Sequence, residues 1–276
     1  MLSINEIYCG DNIDLIKQLE DNCIDTIITS PPYGNILGKH YNHVYDFVSL
    51  AKEMYRVLKP GGWLCWNEKD QHKKGELTYN THSHLYEFKK INLKHFDTII
   101  QISSHKFFNP NYYLVNSYEF IFCLYKEKRK DINFLKKINK YGNITHKLKR
   151  TSKEISISYV DNEKTITYKE YRRDSNVWHQ THTSDIIRTN HLGIVNKGKM
   201  NLGICRRLVY TFSNPNDLIL DPFNGIGTTC IVSKEMGRNY IGFELESKYV
   251  NFTKEYLQNV KNITYKGIID NNNKLI

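Results

Sequence analysis

Short β-branched and aromatic runs alternate along this chain with longer stretches whose apolar positions recur every three or four residues. The first kind predicts strands at Glu6 to Cys9, Ile24 to Thr29, Trp63 to Asn67, Asp97 to Ile102, Glu119 to Tyr125, Leu218 to Leu220 and Tyr240 to Phe243. The second predicts helices at Ile13 to Leu19, Asp46 to Leu58, Thr229 to Met236 and Lys248 to Val260. Between Leu58 and Trp63 the run Lys59-Pro60-Gly61-Gly62 stops a helix, turns, and restarts as a strand. Strands that alternate with helices in this way indicate an α/β fold with a mostly parallel sheet.

Two strings punctuate the alternation. Thr29-Ser30-Pro31-Pro32-Tyr33 follows the run Ile24 to Ile28, and Asp221-Pro222-Phe223-Asn224-Gly225-Ile226-Gly227-Thr228-Thr229 follows Leu218 to Leu220. Both fall at strand carboxyl ends, where open α/β sheets bind ligands. Pro31 and Pro32 fix two successive φ angles and remove two donors, so the Ser30 hydroxyl and the Pro31 carbonyl become stiffly held acceptors beside the flat ring of Tyr33. Acceptors next to an aromatic face suit a planar base that is held by stacking while its exocyclic amine is oriented. A polar loop with two prolines is the plain alternative. In the second string, Gly225 and Gly227 permit close backbone approach, and Thr228-Thr229 leads into a helix. Glu244 ends the next strand about 20 residues on, where an acid typically receives ribose hydroxyls. The turn lacks both the three-glycine spacing of dinucleotide sites and the Gly-Lys-Ser/Thr ending of phosphate loops.

These residues resemble the amino-methylating DNA methyltransferases, which use S-adenosylmethionine to methylate the exocyclic amine of cytosine or adenine. In that family the Ser30 to Tyr33 string is the catalytic loop and the Asp221 to Thr229 string the cofactor loop. Their order here is similar to the circularly permuted β subgroup, whereas protein- and RNA-methylating relatives usually place the cofactor loop first. The resemblance implies a Rossmann-like methyltransferase fold: a mostly parallel seven-stranded sheet, helices on both faces, one reversed strand, and N- and C-terminal parts folded as one domain. It implies catalytic roles for Ser30, Pro31, Pro32 and Tyr33, with Phe107 or Phe108 as further stacking partners of a displaced base. It places Asp11, in Tyr8-Cys9-Gly10-Asp11-Asn12, at the cofactor adenine, Glu244 at the ribose and Asp221 at the amino-acid end, among Thr29, Pro222, Phe223, Gly225, Gly227 and Thr228. Asn109-Pro110, Tyr118-Glu119 and Lys126 resemble the family region beside the target-base pocket. One departure precedes the cofactor loop, where Asn196-Lys197-Gly198-Lys199-Met200 replaces the His-Pro-Ala or Phe-Pro stretch common in the family.

Composition adds a partner. The formal net charge of +10 favours a polyanion, and between Lys126 and Asp174 the 15 Lys or Arg against 7 Asp or Glu carry most of the excess. That segment, interleaved with Tyr141, Tyr159, Tyr168 and Tyr171, is the candidate target-recognition region. Its cations would neutralise phosphates, and Arg150, Arg172 and Arg173 are the candidates to read guanine edges. A solvated insertion is the alternative for any single lysine. The six cysteines show no Cys-x-x-Cys and read as reduced, mostly buried thiols. None follows proline, against the thiolate chemistry of ring-carbon methylation. His82-Ser83-His84 and His179-Gln180-Thr181-His182 read as polar loop positions, and no metal is expected. No apolar run suggests a signal peptide or a membrane span, so the expected compartment is the cytoplasm.

The expected organisation is a catalytic half at 1–126, a recognition insertion at 127–190, a cofactor half at 191–260 and a polar tail at 261–276. The expected activity is methylation of cytosine N4 in double-stranded DNA by base flipping, within a restriction-modification system and as a homodimer. A cognate restriction endonuclease would be a functional partner. Serine at the head of the loop favours cytosine by association with the family, and physically it offers a neutral acceptor where aspartate offers a charged one. Adenine N6 is the alternative target, and an inactive DNA-binding or specificity partner with the same fold is the second alternative.

Overall fold

The computed structural model describes residues 2–32, 45–74, 76–102, 118–138, 145–149, 163–167, 171–179, 187, 200–269 and 274–276. In chain order the elements are β1 (Glu6–Cys9), α1 (Asn12–Ile16), β2 (Ile24–Thr29), α2 (Phe47–Val57), β3 (Leu58–Glu68), β4 (His72–Lys73), β5 (Glu76–Leu77), α3 (Asn80–Lys90), β6 (Leu93–Ile102), β7 (Tyr118–Lys126) and β8 (Lys136–Ile138). They continue with β9 (Thr145–Lys149), β10 (Glu163–Thr167), β11 (Tyr171–Arg173), β12 (Val177–His179), α4 (Leu202–Phe212), β13 (Leu218–Asp221), α5 (Thr228–Glu235), β14 (Asn239–Glu244), α6 (Ser247–Gln258) and β15 (Ile268–Ile269). Tyr33, Phe107, Phe108, Asn109 and Arg150 lie outside the described residues, and Arg172 and Arg173 lie on β11.

The main sheet has the order β1-β14-β13-β2-β3-β7-β6-β12. Every neighbouring pair is parallel except those made by β7, which is antiparallel to both β3 and β6. The expected mostly parallel sheet with one reversed strand is therefore present, with eight strands instead of seven. The added strand is β12, whose Trp178 is buried and which pairs with β6 from Val177 against Ile100 to His179 against Ile102.

β2 is buried at all six positions, which is why its sequence reads as a continuous apolar run and not as an alternation. One face of the sheet is covered by α1, α2 and α3 through Leu15, Ile16, Leu50, Met54 and Phe88, and the other by α4, α5 and α6 through Leu208, Ile231 and Tyr249. α2 starts where Asp46 accepts the Ser49 N–H at 3.1 Å, and it buries Leu50, Ala51, Met54 and Val57, one helical stripe. The strand after it begins at Leu58, earlier than the glycines suggested. Gly61, at φ +83°, and Gly62 sit inside β3, where its register against β2 shifts between Ile24 and Thr26. A Cβ on Gly62 would lie 2.9 Å from the carbonyls of Asp25 and Lys59, so backbone from both sides closes on this residue.

The histidine pairs depart from the loop reading. His82 and His84 lie in α3, and His179 ends β12. Lys126 also differs from what the resemblance implied: it stands at the edge of the sheet opposite the catalytic loop, paired with Leu93 at the start of β6. There its ammonium donates to Asn22 Oδ1 at 2.8 Å and to the carbonyls of Tyr55 and Leu58, both at 2.9 Å, closing the end of α2. Burial pulls its pKa down.

The middle segment connects to the C-terminal part of the chain. β8 pairs with β11 on one side and with β15 on the other, and the Asn133 amide donates to the carbonyls of Tyr210 and Ser213 at 3.0 Å. Among the described residues no helix is long and apolar enough to cross a membrane.

Replacing Lys126 by Met keeps the apolar stem but strands two helix-end carbonyls. We expect a loss of about 2 kcal/mol in unfolding free energy by urea titration, with no change in affinity for a ligand at the opposite edge of the sheet.

Candidate active site

Chain direction brings the ends of β1, β2, β3, β13 and β14 to one edge of the sheet. β13 is the switch point, because the chain leaves it through α5 to β14 on one side while β2, from the N-terminal half, flanks it on the other. The two loops singled out in the sequence emerge here from adjacent strands.

They are joined by one bond. Thr29 Oγ1 donates to Asp221 Oδ1 at 2.6 Å, and both residues are buried. The same carboxylate oxygen accepts the Phe223 N–H at 3.0 Å, and Thr229 adds a further hydroxyl. Burial pushes the Asp221 carboxyl above its ordinary range, more than these three donors pull it down. Ser30 follows Thr29 at the mouth of the site, then a buried Pro31 and a part-exposed Pro32.

The glycine turn packs as its composition suggested. Gly227 is at φ +82° ahead of α5, and a Cβ there would lie 2.2 Å from Thr253 Cγ2 on α6. Gly225 donates its N–H to Glu244 Oε2 at 2.8 Å, while Glu246 N–H reaches Oε1 at 2.9 Å. Burial and the neighbouring Asp221 charge push the Glu244 carboxyl up, against these N–H donors. β1 then brings Asp11 alongside: Cys9 pairs with Glu244, and Gly10 N–H donates to the Glu244 carbonyl at 3.0 Å. The Asp11 carboxylate caps α1, accepting the Ile13 N–H at 2.8 Å and the Asp14 N–H at 3.4 Å.

Two residues joined the site that sequence reasoning had quoted only in passing. Asn12 donates to the Pro222 carbonyl at 3.4 Å, and Asn224 donates to Thr253 Oγ1 at 3.4 Å. The amide oxygens of both are enclosed and have no donor among the described residues. Each stands beside a quoted string, but only packing reveals a buried acceptor without a partner. Among the described residues no group of three metal-ligating side chains forms.

Enclosed acids, orphaned amide oxygens and a glycine turn together fit a ligand that carries positive charge and several N–H or O–H donors. The sequence model of the DNA methylase family, covering N6 and N4 methyltransferases, matches residues 24–255. The chain belongs to the DNA methylase family. It is similar to the orphan methyltransferase M.BamHII of Bacillus amyloliquefaciens, with 32% identity over 252 residues that span 88% of this chain and 92% of that one. Further relatives carry the name Type II methyltransferase. Among solved structures it resembles the cytosine-N4-specific PvuII DNA methyltransferase, with TM-score 0.68, 18% identity, and 96% and 89% of the two chains covered. It also resembles M1.HpyAVI in complex with SAM, with TM-score 0.56, 20% identity, and 91% and 98% covered. At these identities the likeness is one of fold. The protein is thus an S-adenosylmethionine-dependent DNA methyltransferase, as the resemblance implied.

Asp221 and Glu244 hold protons more tightly in the folded protein than in the unfolded chain. Their contribution to stability is present at low pH and is lost as pH rises through the folded values. A cationic ligand favours the ionised acids, so S-adenosylmethionine should bind more tightly as pH rises across the upper carboxylate range. Titration calorimetry from pH 5 to pH 8 checks this. Asp221→Asn should flatten the dependence and weaken binding about tenfold or more.

Proposed function

We propose that this enzyme methylates the exocyclic N4 of cytosine at a specific site in double-stranded DNA, with the target base displaced from the helix. The observation that carries the reading is the Thr29–Asp221 hydrogen bond, which fixes the Ser30-Pro31-Pro32 loop against the cofactor loop. A methyl donor and an acceptor amine must meet in line, and the two loops that would hold them share one buried anchor.

In this reading the Ser30 hydroxyl and the Pro31 carbonyl accept hydrogen bonds from the target amine, and Tyr33 gives the base a stacking face. The prolines keep the two acceptors in fixed relation, so the amine lone pair is aimed before reaction. Asp221, Glu244, Asn12, Asn224 and the Gly225–Gly227 turn hold S-adenosylmethionine, with Asp11 and Thr228 at its margin. When bound, the cofactor supplies an activated methyl group on a sulfonium. No resident base is needed for the amine proton, which becomes acidic once the nitrogen is alkylated. Residues 127–190, with Arg150, Arg172 and Arg173, are the proposed target-recognition region, and Phe107, Phe108 and Asn109 the proposed flank of the base pocket.

The head residue of the loop favours cytosine over adenine, and the cytosine-N4 specificity of the PvuII enzyme agrees with it. A Type II restriction-modification setting agrees with the names of several relatives, although the relative M.BamHII is an orphan methyltransferase. Dimerisation is part of the same proposal.

The test is chemical. Purified enzyme, S-adenosylmethionine and unmethylated DNA of varied sequence, digested to nucleosides and resolved by mass spectrometry, should yield N4-methylcytosine. N6-methyladenine would keep the enzyme class and overturn the target base, and no methylated base, with cofactor binding shown, would favour the inactive partner. Ser30→Ala should cut kcat about a hundredfold, with cofactor affinity retained.

A further inference from the structure

Among the described residues, several buried side-chain polar atoms have no hydrogen-bond partner. Five of them, on Asn12, Asn67, Glu68, Gln101 and Asn224, lie at the carboxyl edge of the sheet or in the loops that leave it. Unsatisfied groups cost stability, and their concentration at one edge marks that edge as the place where stability is given up for something else. Asn12 and Asn224 belong to the cofactor site. The costliest of the remaining three is a carboxylate, Glu68.

Glu68 ends β3, the strand next to the catalytic loop. Register pairs Thr29, the last residue of β2, with Trp66, so Glu68 stands two residues beyond the end of that ladder, on the strand next to the one that leads into Ser30 and Pro31. It is 1% exposed. Its Oε2 accepts the Trp66 indole N–H at 2.9 Å and the His84 Nδ1–H at 2.7 Å, while Oε1 is enclosed and has no donor among the described residues. No lysine or arginine pairs with it among the described residues.

The groups that Glu68 holds form the aromatic wall between the two loops. His84 stacks on Phe47 at 3.7 Å, and Phe47 meets Trp66 edge-on at 5.6 Å. Trp66 meets Phe223 of the cofactor loop at 6.3 Å, and Phe223 meets Tyr45 at 4.8 Å. Tyr45 sits close enough for the Glu68 charge to act on it. The wall thus runs from α3 through β3 to Phe223, the residue after Pro222. A carboxylate that fixes an indole and an imidazole at once sets the orientation of both rings.

We propose that Glu68 is a positioning residue for methyl transfer: through Trp66 and His84 it holds the aromatic wall that backs the catalytic and cofactor loops, at a cost in stability. This rests on the proposed roles of those loops. A structural lock would be retained because it stabilises. A positioning carboxylate with an orphaned oxygen is retained although an uncharged residue of the same shape would be tolerated better.

Glu68→Gln separates the two. It preserves shape and keeps one acceptor for the ring donors while removing the buried charge. We expect thermal stability to be equal or higher, the dissociation constants for S-adenosylmethionine and for DNA to stay within about twofold, and single-turnover methyl transfer to fall about tenfold or more. Glu68→Asp, which retains the charge but shortens its reach, should recover none of the rate, whereas Trp66→Phe should lose rate like Glu68→Gln. A fall in melting temperature with an unchanged transfer rate would overturn the proposal and leave a structural lock. If Ser30→Ala also leaves the rate unchanged, the assignment of the catalytic loop has failed, and with it the basis of this proposal. If Ser30→Ala is slow and Glu68→Gln is not, only the positioning role is lost.

Discussion

The hydrogen bond from Thr29 to Asp221 is the constraint on which the rest of this molecule depends. It joins two residues 192 positions apart in sequence, one on each of two adjacent parallel strands. The N-terminal and C-terminal parts of the chain thereby meet at one edge of the sheet. Asp221 could not be buried at this point without such donors, since an enclosed carboxylate needs partners for its oxygens. Once buried, it organises the turn that follows, through the Phe223 N–H and the Thr229 hydroxyl, and the turn in turn seats Gly225 on Glu244.

The fold shows why two separated segments can share a core. β1 and β2 come from the N-terminal part, yet they flank β14 and β13 from the C-terminal part in a single sheet. Cutting the chain between the halves would leave β2 without one of its two neighbours and would expose a strand buried at every position. The permuted order of the loops is therefore compatible with one cooperative unit, because strand adjacency in space and not chain order builds the edge where the loops meet.

Much of this was legible in the residues. Seven strands and four helices follow from runs and periodicities, since buried parallel strands and amphipathic helices leave the strongest marks on a sequence. The glycine turn after β13 was legible because Gly225 and Gly227, at φ +51° and +82°, are demanded by backbone geometry. What stayed hidden has a common character. β12 is three residues long and its signal, one Trp between Val and His, resembles a loop. α3 carries His82, Ser83 and His84 and few apolar residues, so its helical pattern was obscured, and His84 takes its meaning from Glu68, 16 residues away in sequence and adjacent in space. Lys126 matched a family pattern, yet its role is set by three acceptors at the far edge of the sheet. Cross-chain polar contacts depend on packing, which no local pattern encodes.

The central claim is that one buried hydroxyl–carboxylate bond couples the cofactor loop to the catalytic loop. Thr29→Val tests it most directly, because it replaces the hydroxyl with a methyl group of nearly the same size and leaves Asp221 short of a donor. Both the affinity for S-adenosylmethionine and the rate of methyl transfer at saturating cofactor should fall, each about tenfold or more, as expected for the loss of a charge-assisted bond in a buried site. A variant that binds the cofactor and methylates DNA as the parent does would contradict the account.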